Sequence, residues 1–450
     1  MASNPAPPEP NLVAMAKGEP SPTGLEFEAY LKCIHCGLCT AACPTYLETG
    51  SEADSPRGRI HMMRSVAEGR VPLDENLVFH LERCLDCRAC QTACPSGVEY
   101  GRLIEDARAR IEQKGLRSRR DRLLLALLRD RLFPYPGRMR LALWPLRVLQ
   151  RLFRGRERTL QRLMRLLPGN LAGMAELVPP VVQKSAPLAA ETTAQGEERY
   201  RVALLAGCVG SVMFGHVNAA TARVLARNGC RVVVPQQQGC CGALHSHTGA
   251  VEAAKAFARR NIAAFAAAAG ERPFDAILVN AAGCGSSLKE YGHLLADDPE
   301  WAERAKTFSG RVLDVSEFLA RIELEPPKAN PGVDEITYHD ACHLLHGQGV
   351  RHQPRTLLRK LPGVELVPLV EADICCGSAG IYNLVQPEMA DDLLHRKVEH
   401  IAATRAKVVV TGNPGCALQI RLGLNRAGIA AEVLHPIELL DRAYQAEGRA

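Results

Sequence analysis

Two cysteine runs constrain this chain more than any other feature. CIHCGLCTAACP at 33–44 and CLDCRACQTACP at 84–95 both fit C-x2-C-x2-C-x3-C-P. Thiolate sulfur suits iron–sulfur clusters, and three cysteines on one tight turn wrap three corners of a cubane. The fourth cannot easily close the same cubane, and in two-cluster ferredoxins it ligates the other one. The expected sets are therefore Cys33, Cys36, Cys39 and Cys94 on one [4Fe–4S] cluster, with Cys84, Cys87, Cys90 and Cys43 on the second. Pro44 and Pro95 each turn the chain away after the last ligand. A structural zinc site is the competing reading. Zinc usually takes paired C-x2-C knuckles, four ligands to an ion, so two complete four-cysteine runs favour iron.

At 450 residues the chain exceeds one ordinary core, and two or three domains are expected. A composition of 47% hydrophobic and 23% charged residues is that of a soluble globular protein. No run approaches the roughly 18 apolar residues of a membrane-spanning helix. The Pro-rich, polar start reads as a disordered leader rather than a signal peptide, which implies a cytoplasmic protein. Seventeen cysteines in a reducing compartment are not a disulfide framework, and their spacing points to metal. Cys230, in the apolar stretch CRVVV, reads as a plain buried side chain. Residues 101–170 hold eighteen Arg and one Lys against six acids, a net +13 that leaves −7 for the remainder of a chain totalling +6.

The pattern along the chain predicts an α+β and α/β multidomain protein: a helical two-[4Fe–4S] ferredoxin-like module, then two repeated α/β halves with parallel sheets. The boundaries are a leader at 1–24, the module at 25–110, an Arg/Leu-rich helical segment and linker at 111–198, a first half at 199–325 and a second at 326–445. In the first half RVALLAG, RVVV and FDAILVNAAG read as strands, with VNAATARVLARNG and AAKAFARRNIAAFAAAAG as helices between them. EITYHDA, RTLLRKLPG, VELVPLV, DLLHRKVEHIAATRA and KVVVTGN repeat that order, which implies parallel sheets covered on both faces. Cys208, Cys240, Cys241 and Cys284 recur as Cys342, Cys375, Cys376 and Cys416, offset by 132 to 135 residues.

The eight-cysteine module, DSPRGRI at 54–60, and two halves each with Cys-Cys-Gly together resemble the iron–sulfur subunit of bacterial glycolate oxidase. CIHCGLCTAACPTY, RCLDCRACQTACPSGVEY, GCCGALHSH, AAGCGSSLKEYG and ICCGSAGIYNL carry the likeness, which runs from about 28 to 442. The resemblance implies an electron-transfer subunit, not itself catalytic, that passes electrons from FAD-binding partner subunits oxidising glycolate to a quinone-linked acceptor. The architecture is shared with anaerobic glycerol-3-phosphate and lactate dehydrogenase systems, which are the nearest alternatives. A self-contained disulfide or quinone reductase acting at the Cys-Cys-Gly sites is the alternative of another class. No G-x-G-x-x-G or Walker motif is present, so neither FAD nor NAD is expected on this chain.

Each half places one cysteine after its first strand, a vicinal pair before a helix and one after a later strand. In a parallel sheet those loops converge on one edge, so four distant thiols can meet. Relatives with the full motif end in C-x2-C and have a fifth cysteine per half; here Ala281 and Asn413 stand at those positions. A further iron–sulfur centre, zinc, a centre shared by both halves and a redox-inert vestige all remain open. His245, His247, His339 and His343 lie beside these cysteines and are candidates for tuning a potential or carrying a proton.

The basic stretch alternates Leu with Arg at helical spacing and is expected to break at Pro134, Pro136 and Pro145. An amphipathic, Arg-rich helix bearing Phe and Trp can lie in a bilayer interface. Peripheral contact of 111–166 with the inner face of the cytoplasmic membrane, docking to an acidic partner, and plain packed helices are the three readings. No nucleic-acid recognition motif accompanies the charge.

Overall fold

The computed structural model describes residues 21–153, 163, 176, 178 and 188–448. Most of the expected leader, and much of the expected linker, lie outside these residues.

The first part is helical. Ser55 caps the helix Pro56–Ala67 by accepting from the Gly58 amide, with Pro56 supplying a preformed first turn. Asp74 caps Glu75–Glu82 in the same way, through the Leu77 amide. Ile60, Met63, Val78, Leu81, Leu103, Ile104 and Ile111 of these helices and of Tyr100–Gln113 form one core, and Cys84 and Cys90 belong to it. Cys33, Cys39 and Cys94 pack against the same apolar centre.

The basic stretch forms a helix Arg119–Leu125, a π-helical continuation Ala126–Leu132 and a second helix Pro136–Leu152. Pro136 starts that helix as expected, but Pro145 lies inside it and does not end it. A proline removes one hydrogen bond and clashes with the preceding turn. Here the helix is held by tertiary contacts, with Met139 buried and Leu143 and Leu146 facing the cavity described below.

Two α/β halves follow. The first sheet contains β1 (Glu191–Thr192), β2 (Tyr200–Leu205), β3 (Cys230–Val233), β4 (Ala276–Val279) and β5 (Val312–Asp314), in the order β1-β3-β2-β4-β5. The second contains β6 (Glu335–Tyr338), β7 (Glu365–Val367), β8 (Val408–Val410) and β9 (Glu432–Leu434), in the order β7-β6-β8-β9. Apart from β1 the two orders are the same. All pairings are parallel except β1 with β3, an antiparallel edge formed by residues that read as linker in the sequence. A two-residue strand leaves no hydrophobic pattern to find. β4 is buried at every position, as a strand covered on both faces must be.

The halves share a core in which Val202, Leu204 and Leu278 join Ile336, Tyr338, Val408 and Val410. Cys230 sits in it, fully buried. The helix Gly215–Arg227 packs on Pro436–Glu447, and Arg223 pairs with Asp441 at 2.6 Å.

The helical module is wedged against both halves. Gly249 carries φ +86°, and a Cβ there would run into the Arg108 carbonyl on the helix Tyr100–Gln113. Left-handed strain and a backbone clash both oppose any side chain at this point. Gly249→Ala is expected to cost about 2–3 kcal/mol, read as a lowered denaturation midpoint, whereas Gly428→Ala, left-handed but in open space, should cost about 1 kcal/mol.

Candidate metal centres

The two cysteine runs fold into the same loop. His35 and Gly37 follow Cys33 with φ of 55° and 84°, and Asp86 and Arg88 follow Cys84 with φ of 51° and 63°. Residues that alternate in hand curl a loop into a concave nest whose amides point inward, the geometry that holds anionic groups. Glycine supplies this freely at position 37. His35, Asp86 and Arg88 adopt it against their own steric preference, a strain typical of functional loops.

Cys33, Cys36, Cys39 and Cys94 line one small cavity, with Cys90 also on its wall. Cys43, Cys84, Cys87 and Cys90 line the next. The fourth cysteine of each run therefore sits with the first three of the other. Burial pushes the Cys39 thiol up to about 11 and holds Cys87 and Cys90 well above the ordinary thiol range, so a metal has to displace protons from these sulfurs. Polar groups already point at them: the Asp86 amide donates to Cys84 Sγ at 3.3 Å, the Tyr100 hydroxyl reaches it at 3.6 Å, and Thr45 Oγ1 lies 3.3 Å from Cys43 Sγ.

The SPRGRI segment has its explanation here. Arg59, 1% exposed, binds the His80 carbonyl at 2.7 Å, Thr45 Oγ1 at 3.0 Å and Asp54 Oδ1 at 3.2 Å. Its charge lies next to Cys84 and Cys43. Arg108, also buried, donates to the Cys84 carbonyl and the His247 carbonyl. Two buried cations thus face the second thiol set, where an anionic cluster needs them.

In each α/β half the four separated cysteines do converge. Cys208 and Cys240 have their sulfurs 3.7 Å apart, and Cys241 contacts both Cys240 and Cys284. In the second half Cys342 contacts Cys375, Cys375 contacts Cys376, and Cys376 contacts Cys416. Asn413, in the place of a fifth cysteine, donates to Cys416 Sγ at 3.4 Å and accepts from the Gly283 amide at 3.3 Å, bridging the halves. Seven of the eight thiols line a single cavity of about 710 Å3, roofed on one side by Met139, Leu143, Leu146 and Leu149 of the helix Pro136–Leu152. Donor chemistry and convergence both fit thiolate-bound metal.

The four histidines separate. His245 packs at a tilt against Phe257 and lies 3.3 Å from Asp130; burial lowers its pKa to about 4, and it does not line the cavity. His247 lies 3.0 Å from Asp86 and 2.8 Å from Glu105, with its ring against His343. Burial opposes its charge, yet those carboxylates outweigh it and lift the pKa to about 9. His343 Nε2 lies 2.9 Å from the Asp86 carbonyl, and burial lowers its pKa to about 4. His339 is fully buried and lies with Cys376 and Cys416, their ligand atoms all within 4.8 Å of one another.

Asp86 and Arg88 lie inside the second cysteine loop, where the cysteine spacing gives no sign of their role. Asp86 meets His247 of the first half through its carboxylate and His343 of the second through its carbonyl. Arg88 ties the loop to Glu105 at 3.1 Å and to Glu290. On the other side Cys87 packs in one cluster with Cys375, Cys342 and Tyr382, whose hydroxyl donates to the Arg83 carbonyl at 2.7 Å. The second thiol set of the module therefore abuts the thiols of the second half.

Residues 29–98 match the 4Fe-4S dicluster domain family, and 202–289 and 336–421 each match the Cysteine-rich domain family. The chain is 41% identical over 431 residues to the probable glycolate oxidase iron-sulfur subunit of Bacillus subtilis, covering 93% of this chain and 94% of that one. It is 36% identical over 424 residues to the glycolate oxidase iron-sulfur subunit of Escherichia coli, covering 94% and 96%. The chain belongs to the glycolate oxidase iron–sulfur subunit family. Lactate utilization protein A of Geobacillus thermodenitrificans is 31% identical but matches only 54% of this chain. As a member of the family the chain is an iron–sulfur electron-transfer subunit of an oxidoreductase complex, with two [4Fe–4S] clusters in its dicluster domain. Among the described residues no helix is long and apolar enough to cross a membrane.

Removing the Arg88 side chain leaves the Glu290 carboxylate without its buried cation and leaves Asp86 with His247 and Arg108 alone to offset its charge. Arg88→Met is expected to cost about 3 kcal/mol of stability, measured by denaturant unfolding of the cluster-loaded chain. A change below about 0.5 kcal/mol would show that the pair is not the latch between module and halves.

Proposed function

We propose that this chain is the non-catalytic relay of a glycolate-oxidising complex. It accepts electrons from a partner subunit that binds FAD and passes them toward a quinone-linked acceptor. What carries the reading is the two-run thiol arrangement joined, through Cys87, to the thiols of the second Cys-Cys-Gly half. Near-full-length likeness to glycolate oxidase iron–sulfur subunits supports the choice of partner.

The ligand sets we propose are Cys33, Cys36, Cys39 and Cys94 for the first cluster, and Cys84, Cys87, Cys90 and Cys43 for the second. Bound [4Fe–4S] clusters supply one-electron carriage at potentials set by burial, charge and hydrogen bonds to sulfur. The residues around them do the setting. Arg59 and Arg108 place positive charge beside Cys84. The Asp86 amide and the Tyr100 hydroxyl hydrogen-bond its sulfur. We also propose that the cysteine-rich halves bind iron through Cys208, Cys240, Cys241 and Cys284, or Cys342, Cys375, Cys376 and Cys416. The unit organisation that follows is a module at 25–110, a basic connector at 111–198, and halves at 199–325 and 326–445.

The connector supports peripheral membrane contact on the cytoplasmic face. Leu123, Leu127, Leu141, Trp144 and Leu152 are exposed along it, beside exposed Arg119, Arg122, Arg131, Arg138, Arg140 and Arg151. Apolar side chains flanked by arginines insert at the headgroup boundary of anionic bilayers.

Two measurements test this. The complex purified with its flavoprotein partners should lose its cluster absorbance on adding glycolate, and Cys43→Ser should abolish the second cluster's signal while sparing the first; no glycolate-dependent bleaching would sink the reading. The chain should sediment with anionic vesicles at low salt, and Trp144→Ala combined with Leu141→Ser should weaken that binding roughly tenfold or more, by loss of buried apolar area. Equal sedimentation of the double variant would remove the connector from the membrane.

A further inference from the structure

The two Cys-Cys-Gly halves repeat in fold but not in what surrounds their thiols. The residue three before the first cysteine is Leu205 in the first half and His339 in the second. Leu205 packs in the apolar core beside Cys241. His339 is fully buried, and neither of its ring nitrogens has a hydrogen-bond partner. An orphaned buried nitrogen ordinarily costs about 1–3 kcal/mol, and here there are two on one ring. That ring stands against Cys376 and Cys416, with all three ligand atoms mutually within 4.8 Å.

A second difference lies on the long helix behind each vicinal pair. A Cβ on Gly242 would meet the Ala254 carbonyl, and one on Gly377 the Ala390 carbonyl, so these helices correspond. Seven residues on, the first has Asn261 and the second Lys397, both buried. Asn261 is satisfied as a neutral amide: it donates to the Cys240 carbonyl at 2.8 Å and Tyr291 Oη at 3.1 Å, and accepts from the Gly239 amide at 2.9 Å. Lys397 donates to the Glu371 carbonyl; burial opposes its charge, and the neighbouring Cys376 and Cys375 thiols act the other way. The Glu371 carboxylate is itself engaged by Arg396 at 2.5 Å and by His400 at 3.2 Å. A buried ammonium needs an anion, and the Cys375–Cys376 pair is where one would form. Arg59 stands in the same relation to Cys84 and Cys43 in the module.

We propose that the second half, rather than the first, holds its own iron–sulfur centre, with His339 a nitrogen ligand beside Cys342, Cys375, Cys376 and Cys416, and Lys397 the buried counter-charge. This rests on the reading that the cysteine-rich region binds iron. It assigns the missing fifth ligand of that half to an imidazole. Ligation uses a ring-nitrogen lone pair, and neither His339 nitrogen is engaged by another group. The thiols give up their protons to solvent as iron binds. Imidazole in place of thiolate raises a cluster's potential, and a nearby cation does the same. The centre next to Cys87 is thereby suited to the acceptor end of the relay.

The test is pulsed EPR of the anaerobically purified, partly reduced full chain, with iron counted per chain. Expected are more than the eight irons of two [4Fe–4S] clusters and a nitrogen hyperfine coupling of a directly bound imidazole. His339→Cys should keep the iron, lose the coupling and lower the midpoint potential. Lys397→Met should keep the coupling and lower the potential. Cys241→Ser in the first half should change neither. Should His339→Cys fail to accumulate, unsubstituted chain labelled with nitrogen-15 histidine decides, since the coupling must change to the isotope's pattern. No histidine coupling, zinc in place of the extra iron, or loss of the centre on Cys241→Ser would overturn the proposal. A chain with only eight irons that still bleaches with glycolate overturns this inference and leaves the relay standing. A chain with the coupling but no glycolate response does the reverse.

Discussion

Thiolate-bound clusters bring negative charge into places with little water, and around the second thiol set the fold answers that charge with buried cations. An isolated buried ion is too costly to persist, so its partners must be buried with it. Arg59 meets this demand beside Cys43 and Cys84 and is itself fixed by Asp54, Thr45 and the His80 carbonyl. Arg108 carries the same function outward, since it also grips the first α/β half at the His247 carbonyl. Charge compensation and domain docking are thus one set of interactions.

The loop Cys84–Arg88 is where the whole molecule meets. Its left-handed residues shape a nest for the second thiol set, Asp86 bonds both halves, Arg88 reaches Glu290, and Cys87 packs against Cys342 and Cys375. Electron transfer falls steeply with separation, so rigid apposition of thiol sets is what a relay requires of its protein. The basic connector adds a roof over the cavity between the halves and presents exposed leucines and arginines outward.

Much of this was legible in the sequence because the chemistry lies in local spacing. C-x2-C-x2-C-x3-C-P fixes loop size, and in the structure Cys94 lines one cavity with Cys33, Cys36 and Cys39 while Cys43 lines the next with Cys84, Cys87 and Cys90. The repeat was legible because β4 and β8 are apolar runs and the cysteines recur in register. What escaped was tertiary. Pro145 sits within a helix because packing outweighs one lost hydrogen bond. β1 is too short for a periodic signal. His245 looked equivalent to His339 from its place beside a cysteine, but the fold turns one toward Asp130 and the other toward Cys376. Lys397 gave no signal, because a lysine in an amphipathic helix reads as solvent-facing until the fold buries it.

The central claim is that iron sits at three places in one connected line. Anomalous diffraction at the iron edge from anaerobically grown crystals tests it directly. The account predicts iron density enclosed by Cys33, Cys36, Cys39 and Cys94, by Cys43, Cys84, Cys87 and Cys90, and by His339 with the second-half cysteines. Density shared by Cys33, Cys36, Cys39 and Cys43, or third-site iron among the first-half cysteines with none in the second, would contradict it.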